Sequence, residues 1–262
     1  MSDRKPLFDI EITTRCTKHC YCCPRDAFER NDRDMSLATF DTLCDWLPSG
    51  SSVFFAGYGE PLLHDQHAQF VEKLVRVGAT VSIKTNGIAV TRDKALELFD
   101  AGLHKLEISI LLRDEESRIE DFLAIIPESK HKNIQFNVIH DADSPRLIPT
   151  RNRLAQLGIK AWFASIHSRG GQLYRLTTPA VQKPKCESFL RVTCVRTDGS
   201  LPVCPHDING RFMMGSIETV GFAALAEEKL RRANGGMVAP ICAQCDDHFR
   251  FVTEEGFRRD GR

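Results

Sequence analysis

The chain has 262 residues, and its 35 Lys and Arg residues balance 35 Asp and Glu residues, so its formal net charge is 0. This balance argues against a broad nucleic-acid-binding face, which requires a basic excess. Hydrophobic residues make up 42% of the chain, which is enough for a sizeable core and excludes an intrinsically disordered chain. No apolar run approaches the roughly 18 residues that span a membrane, and no secretion signal is visible. We therefore expect a cytoplasmic protein of one or two domains that binds neither nucleic acid nor membrane.

Strand and helix patterns alternate over the first part of the chain. The predicted strands are Leu7–Ile12, Ser51–Ala56, Val81–Thr85, Lys105–Ile110, Ile134–Ile139 and Lys160–Ser165. The predicted helices between them are Leu37–Leu47, Ala68–Val77, Lys94–Ala101, Ser117–Ile126 and Leu147–Leu157. Because alternating strands and helices with short connections form a parallel sheet, we predict an α/β fold, a partial (β/α)6 barrel of the TIM type.

The alternation stops after about residue 170. Prolines and glycines punctuate the rest of the chain, and a single helix, Gly221–Arg232, is predicted there. Such a segment has little apolar core of its own, and small regions of this kind usually need a metal or a disulfide. We predict a barrel domain over residues 1–175 and a small cysteine-rich domain over residues 176–262.

Ten cysteines form two groups, between positions 16 and 44 and between positions 186 and 245. A reducing cytosol disfavours disulfides, so this distribution predicts two metal sites. In the first group, Cys16, Cys20 and Cys23 directly follow the first strand. Zinc sites favour paired Cys-x2-Cys groups. Three thiolates on a cuboidal iron–sulfur cluster instead leave one iron open to a small molecule.

A Cys-x3-Cys-x2-Cys loop after the first strand of a barrel resembles the radical S-adenosylmethionine (radical SAM) superfamily. In that family the three cysteines hold a [4Fe-4S] cluster, and the open iron binds S-adenosylmethionine (SAM). Gly57-Tyr58-Gly59-Glu60-Pro61 resembles the family's segment whose backbone and Glu side chain bind the methionyl amine. Asn86 lies in a Thr-Asn-Gly turn similar to the family's turn after strand three, and Ser109 stands where family members contact the ribose or carboxylate. The resemblance thus implies SAM contacts for residues at the ends of three further strands, Gly57, Tyr58, Gly59, Glu60, Asn86 and Ser109.

Two departures from the family pattern leave alternatives open. The residue before the third cysteine is usually aromatic and packs near the adenine, but here it is Cys22, with Tyr21 one place earlier. Either Tyr21 or another ring therefore covers the adenine. Cys22 is also an alternative ligand to Cys23, although its spacing fits the family less well. Taken singly, Glu60 also has a structural interpretation, as a solvated loop acid.

The second cysteine group predicts a four-thiolate site. Cys242 and Cys245 form a Cys-x2-Cys pair, and Cys204 is the predicted third ligand for zinc or a [4Fe-4S] cluster. Either Cys186 or Cys194 supplies the fourth thiolate.

Turn geometry decides between the two candidates. Asp198-Gly199 predicts a two-residue hairpin turn between the strands Val192–Thr197 and Ser200–Cys204. In that register Thr193 lies opposite Cys204, so the Cys194 side chain points to the other face of the ribbon. We therefore predict that Cys186 is the ligand and that Cys194 is a buried thiol.

This C-terminal segment resembles the twitch domain, a shortened SPASM domain that holds one auxiliary [4Fe-4S] cluster in some radical SAM enzymes. Within the superfamily, the two-part layout is similar to the 2-deoxy-scyllo-inosamine dehydrogenase family. Ser168-Arg169-Gly170-Gly171 resembles that family's Arg-Gly-Gly segment, whose Arg faces the substrate. Arg169 is accordingly the predicted catalytic residue, with a solvated loop charge as the alternative.

The resemblance implies a radical SAM oxidoreductase. Such an enzyme cleaves SAM to a 5′-deoxyadenosyl radical, removes a hydrogen atom from an unactivated C–H bond and passes an electron to the auxiliary cluster. The barrel begins near residue 7, which favours a small-molecule or carbohydrate-like substrate over a peptide to be crosslinked or epimerised. A flavodoxin- or ferredoxin-like protein is the expected electron donor. A zinc-stapled binding module without catalysis is the competing hypothesis, but it leaves the first cysteine loop unexplained.

Overall fold

The computed structural model describes residues 5–113, 118–141, 143–173, 186–235 and 238–247. The strands within these residues are β1 Leu7–Ile10, β2 Ser52–Phe55, β3 Thr80–Thr85, β4 Lys105–Leu111, β5 Ile134–His140, β6 Lys160–Ser165, β7 Val192–Val195, β8 Ser200–Pro202 and β9 Met213–Ser216. The α-helices are α1 Leu37–Trp46, α2 His67–Arg76, α3 Arg92–Asp100, α4 Arg118–Ile125, α5 Leu147–Gln156, α6 Glu187–Arg191 and α7 Phe222–Asn234. None of these helices combines the length and the hydropathy that a membrane crossing requires.

The main sheet is parallel and has the order β6-β5-β4-β3-β2-β1-β7. Alternate strand residues are fully buried and pack in one apolar core with helix residues such as Phe40 of α1 and Phe70 of α2, whose rings stack at 3.7 Å. The predicted α/β fold of the partial TIM-type barrel is confirmed. Since all strands run the same way, their carboxyl ends and the loops that follow them share one rim.

The seventh strand of this sheet comes from the C-terminal region. β7 pairs in parallel with β1, and Val195 lies opposite Ile10. β8 pairs with β9 instead of β7. The predicted β-ribbon was therefore wrong, because the open edge of β1 offers a longer run of backbone partners than the short β8 does.

The turn between β7 and β8 also differs from the expected one. Arg196 N–H donates to Ser200 O at 3.0 Å, and Gly199 N–H donates to Arg196 O at 2.9 Å. These bonds enclose a three-residue loop that ends at Gly199, whose φ of 77° suits glycine. The register that placed Thr193 opposite Cys204 was consequently wrong.

The C-terminal region and the barrel share side-chain contacts. Trp46 Nε1 donates to Val220 O at 2.7 Å, and the ring of Phe222 lies 5.6 Å from that of Phe8. Lys229 of α7 donates from Nζ to Val192 O at 2.7 Å, and burial lowers the pKa of this lysine to about 8. The division at residue 175 stays a prediction, and the sheet itself extends across it.

Candidate active site

The loop after β1 carries three half-buried free thiols, Cys16, Cys20 and Cys23. Backbone N–H groups point at two of the sulfurs, since Lys18 donates to Cys16 Sγ at 3.5 Å and Arg25 donates to Cys23. Burial raises the pKa of Cys23, and the nearby Cys16 adds to the rise. A buried thiol of this kind becomes a thiolate when a cation compensates its charge. The three thiols and the amides around them therefore fit an iron–sulfur cluster.

The two residues that depart from the family pattern occupy different surroundings. Cys22 is only 5% exposed, and burial raises its pKa. The Tyr21 ring lies under the guanidinium of Arg113, with 4.9 Å between Cζ and the ring centroid. Cys22 is thus more enclosed than its three neighbours in the loop, and Tyr21 lies near the end of β4.

The Gly-Tyr-Gly-Glu segment follows β2 and packs tightly against the β1 loop. Gly57 has a φ of 100°, and a Cβ on it would lie 2.9 Å from Glu11 Cβ. At Gly59 a Cβ would lie 1.9 Å from Thr13 O. Only glycine allows this approach of two backbones.

Gly59→Ala is therefore expected to destabilise the chain by about 3 kcal/mol, the upper part of the range for overpacking. The added Cβ cannot avoid Thr13 O unless the backbone moves, because a carbonyl oxygen has no rotamer to change. Denaturant unfolding of the anaerobically purified protein measures the change. Gly221→Ala is the control, because its Cβ would meet nothing within 4 Å. Equal stability of the two variants would contradict this packing argument.

Glu60 joins the loops after β2 and β3 and is 2% exposed. Its Oε1 accepts from Thr85 Oγ1 at 2.7 Å and from Leu62 N at 3.1 Å, and its Oε2 accepts from Asn86 N at 2.7 Å. Burial raises the pKa of Glu60, and these three hydrogen bonds oppose the rise. Asn86 Nδ2 in turn points to Cys16 Sγ at 3.6 Å. The Glu60 carboxylate thus positions Asn86 beside the first thiol, and it is not a solvated loop acid.

Glu60→Gln is expected to keep its iron while weakening SAM binding about tenfold, the effect of losing one charge-assisted hydrogen bond. An amide NH2 would face at least one donor among Thr85, Leu62 and Asn86, so the turn after β3 would shift. Titration with SAM and chromatography of 5′-deoxyadenosine measure the effect, with iron assayed in the same sample. Unchanged SAM affinity and cleavage would show that this turn does not contact SAM.

Two other predicted SAM-binding residues have distinct surroundings. Tyr58 donates from its backbone N–H to Glu11 Oε1 at 3.2 Å and from its hydroxyl to Pro205 O at 2.8 Å. Burial raises the pKa of this hydroxyl. Its side chain therefore links the barrel to the C-terminal region, and its backbone is bonded within the chain as well, because the Tyr58 carbonyl accepts from Arg25 Nη1 at 3.1 Å. Ser109 is half-buried on β4, opposite Asn137 of β5.

A second thiol group surrounds a cavity in the C-terminal region. Cys186, Cys204, Cys242 and Cys245 all line this cavity, together with His206 and Asp247. Burial raises the pKa of Cys204 to about 12, and the backbone amides of His206 and Asp207 oppose the rise. Phe189 N–H donates to Cys186 Sγ at 3.3 Å. Four thiols around one cavity, with amides aimed at sulfur, fit a second metal cluster.

Cys194 has a different environment. It is 8% exposed, it lies on β7 opposite Asp9 of β1, and burial raises its pKa. It does not line the four-thiol cavity. Cys186 therefore lies at the cavity and Cys194 does not, as we expected. The cause is the pairing of β7 with β1 and not the predicted hairpin.

Arg169 belongs to the loop that follows β6, and this loop is related to both thiol groups. Burial raises the pKa of Cys22 and of Cys23, and the Arg169 guanidinium opposes both rises. On the other side, the backbone of Gly170 packs against Ile241, which lines the four-thiol cavity. The loop that carries Arg169 thus packs against the turn of the second thiol group, while the Arg169 charge acts on the thiols of the first.

Several polar groups at this rim carry no motif in the sequence. Glu11 forms a bidentate ion pair with Arg30, at 2.6 and 3.1 Å. One ligand atom from each of His167, His206 and Asp247 lies within 4.8 Å of the others. Burial lowers the pKa of His167 to about 3, and the Arg169 charge contributes. The sequence does not reveal these groups, because their members lie far apart in the chain. The one sequence feature that pointed to them was the position of His206, two residues after Cys204.

Comparison with known proteins gives a family match and shared folds. Residues 10–136 match the model of the radical SAM superfamily. A probable GTP 3′,8-cyclase of Methanothermobacter marburgensis is 34% identical over 110 residues, which cover 40% of this chain and 36% of the cyclase. The matched segment is thus little more than a third of that relative's length.

Two solved structures resemble the whole chain. The complex of BtrN with AdoMet and 2-DOIA has a TM-score of 0.72 at 19% identity, covering 95% of each chain. Streptococcus suis SuiB bound to the precursor peptide SuiA has a TM-score of 0.62 at 12% identity, covering 92% of this chain and 69% of SuiB. At these identities the likeness shows the fold alone. The likeness to BtrN confirms the predicted resemblance to the 2-deoxy-scyllo-inosamine dehydrogenase family.

Proposed function

Residues 10–136 of this chain form a radical SAM domain, and from this premise we propose that the protein is a radical SAM oxidoreductase acting on a small, alcohol-bearing substrate. The domain implies a [4Fe-4S] cluster and SAM. In our proposal Cys16, Cys20 and Cys23 hold the first cluster, and the four thiols of the C-terminal cavity hold an auxiliary one. All ten cysteines are free thiols, in keeping with a cytoplasmic enzyme.

One observation carries the proposal, namely that the Arg169 loop packs on the turn of the second thiol group while its guanidinium charge acts on Cys22 and Cys23 in the first. A substrate beside Arg169 would lie between the source of the radical and an electron acceptor. A groove opens next to this loop, and its lining includes Gly170, Gly171, Asn209 and Gln244. In our proposal this groove is the path by which a substrate reaches the Arg169 loop from solvent.

When bound, the two clusters and SAM supply the radical that removes a hydrogen atom and the acceptor that takes the remaining electron. The residues of the chain orient the reactants. The Glu60–Asn86 contact positions the turn beside Cys16, and Gly57 and Gly59 let the segment after β2 pack closely on the loop after β1. Arg169 hydrogen-bonds the substrate hydroxyl and stabilises the negative charge that develops on oxygen as the alcohol becomes a carbonyl, while the hydroxyl proton passes to water in the groove. A flavodoxin- or ferredoxin-like protein supplies the initial electron.

The alternative is a maturase that modifies a ribosomally made peptide. The SuiB fold supports it, because that protein is bound to a precursor peptide. In this alternative the groove beside Gly170 and Asn209 accepts a peptide segment. The same radical chemistry would then crosslink or epimerise a residue.

Isotope transfer tests the proposed function. Anaerobic protein with SAM, a reductant and a panel of polyols or aminocyclitols deuterated at carbinol carbons should yield deuterated 5′-deoxyadenosine and one equivalent of ketone. Arg169→Gln should lower ketone formation at least tenfold while leaving substrate-free SAM cleavage unchanged, the effect of losing a charged hydrogen bond. Deuterium transfer only from a labelled peptide would favour the maturase, and transfer from neither class would contradict the proposal.

A further inference from the structure

A single carboxylate from the C-terminal region anchors the loop after β6. Ser168 is 0% exposed, and its backbone N–H donates to Asp246 Oδ1 at 2.8 Å and to Oδ2 at 3.1 Å. Its hydroxyl donates to Asp246 Oδ1 at 2.5 Å and accepts from Gly171 N at 3.1 Å. Asp246 directly follows Cys245 in the chain. A short path of bonds therefore joins a predicted cluster ligand to the start of this loop.

The loop adopts a backbone conformation that requires such support. Arg169 has a φ of 53°, and it is the sole non-glycine residue with positive φ among those the structure describes. Gly170 and Gly171 follow with φ values of 68° and 82°. A side chain other than that of glycine disfavours the left-handed region, so surrounding contacts must hold Arg169 there.

The same loop lies directly on the turn that carries the Cys-x2-Cys pair. A Cβ on Gly170 would lie 2.9 Å from Ile241 Cγ1, and a Cβ on Gly171 would lie 2.3 Å from Gln244 Oε1. Both partners belong to the short helical turn Pro240–Gln244, which contains Cys242. Any displacement of this turn would therefore reach the Arg169 loop at Gly170 and Gly171.

We propose that Asp246 is a positioning residue that couples the predicted auxiliary cluster site to the Arg169 loop. Through Asp246, ligation at Cys242 and Cys245 fixes the conformation of that loop. The auxiliary cluster thereby has a second role, which is to orient the substrate-facing guanidinium. The role of Arg169 rests on the proposed function, whereas the coupling itself rests on the contacts of Ser168 and Asp246.

Hydrogen–deuterium exchange on the anaerobically reconstituted full chain, without substrate, tests this coupling. In Asp246→Ala, the amides of residues 166–173 should exchange at least about tenfold faster than in the wild type, since several hydrogen bonds that close the loop are lost. Asp246→Asn keeps one carbonyl oxygen and should fall between the two. Glu29→Ala is the matched control, because it removes an exposed ion pair with Arg211 elsewhere on the same groove, and its loop should exchange as in the wild type.

The reciprocal experiment removes the auxiliary cluster. The Cys242→Ala, Cys245→Ala double variant should show the same faster exchange at residues 166–173 while it keeps the iron of the first cluster. Trypsin provides a second measurement, since release of the loop exposes the Arg169–Gly170 bond to cleavage, detected by mass spectrometry. Wild-type exchange and cleavage in both Asp246→Ala and the double variant would overturn the proposal.

If Asp246→Ala loses its auxiliary iron, Ser168→Ala decides whether the contact itself holds the loop. This variant removes only the hydroxyl on the other side of the contact. Full iron with faster loop exchange supports the coupling, and unchanged exchange contradicts it. Substrate oxidation is a separate measurement. A chain that oxidises no alcohol yet shows this exchange pattern contradicts the proposed function, and a chain that turns over with an unchanged loop contradicts the coupling.

Discussion

Replacing Cys16, Cys20 and Cys23 together by alanine is expected to lower the iron content from about eight to about four per chain, because each [4Fe-4S] cluster depends on its own cysteine set. The same variant should form no 5′-deoxyadenosine. The three thiols share the loop after β1, and Asn86 approaches Cys16 from the neighbouring loop. Iron assay and chromatography after anaerobic reconstitution measure both effects.

Cys44→Ala is the control for this triple variant, because Cys44 lies on α1, away from both thiol groups. It should keep about eight iron atoms and full SAM cleavage. A wild-type content of about four iron atoms, or of zinc alone, would contradict the auxiliary cluster. A brown triple variant that still cleaves SAM would instead place the SAM-binding cluster elsewhere.

The second large effect separates Cys186 from Cys194. Cys186→Ala should lose the auxiliary iron, because its sulfur lines the four-thiol cavity and accepts from Phe189 N at 3.3 Å. Cys194→Ala should retain it, because that thiol lies on β7 opposite Asp9. Iron content and the visible spectrum of the two variants, prepared side by side, measure the difference. Retention in the Cys186 variant with loss in the Cys194 variant would reverse the assignment.

Local pattern accounts for most of the predicted elements. The β6 prediction agrees with the structure at both ends, Lys160 and Ser165, and the other predicted strands and helices differ by a few residues at their ends. The helix α6 and the strand β9 were not predicted, so the expectation of a single helix after residue 170 was wrong. Alternating burial produces these signals, since one side of each strand packs into the helices and the other lines the rim and interior of the sheet. Sequence therefore predicted the order of elements and the strand ends at which the site lies.

Contacts between residues far apart in the chain could not be predicted from the sequence. The pairing of β7 with β1 depends on which sheet edge is open, and a turn signal such as Asp198-Gly199 reports only on nearby residues. The Glu60 carboxylate had a visible motif, but its partners Thr85 and Asn86 lie on another loop. Ser168 and Asp246 are 78 residues apart, and although Ser168 begins the Arg-Gly-Gly segment, nothing in the sequence joins it to Asp246. What could be predicted was the set of reactive residues, and what could not was the network that orients them.

The pairing of β1 with β7 also has a consequence for biosynthesis. A ribosome makes the amino end first, so the outer edge of β1 has no strand partner until residue 195 of 262 has emerged. An unpaired strand edge is a template for association with other chains. The pairing of β1 with β7 is also slow to form, because it joins residues that lie far apart in the chain. Expression of residues 1–175 alone would leave this edge permanently open. The C-terminal region, which sequence divides off as a separate cluster-binding unit, is therefore also the segment that protects the nascent barrel from aggregation.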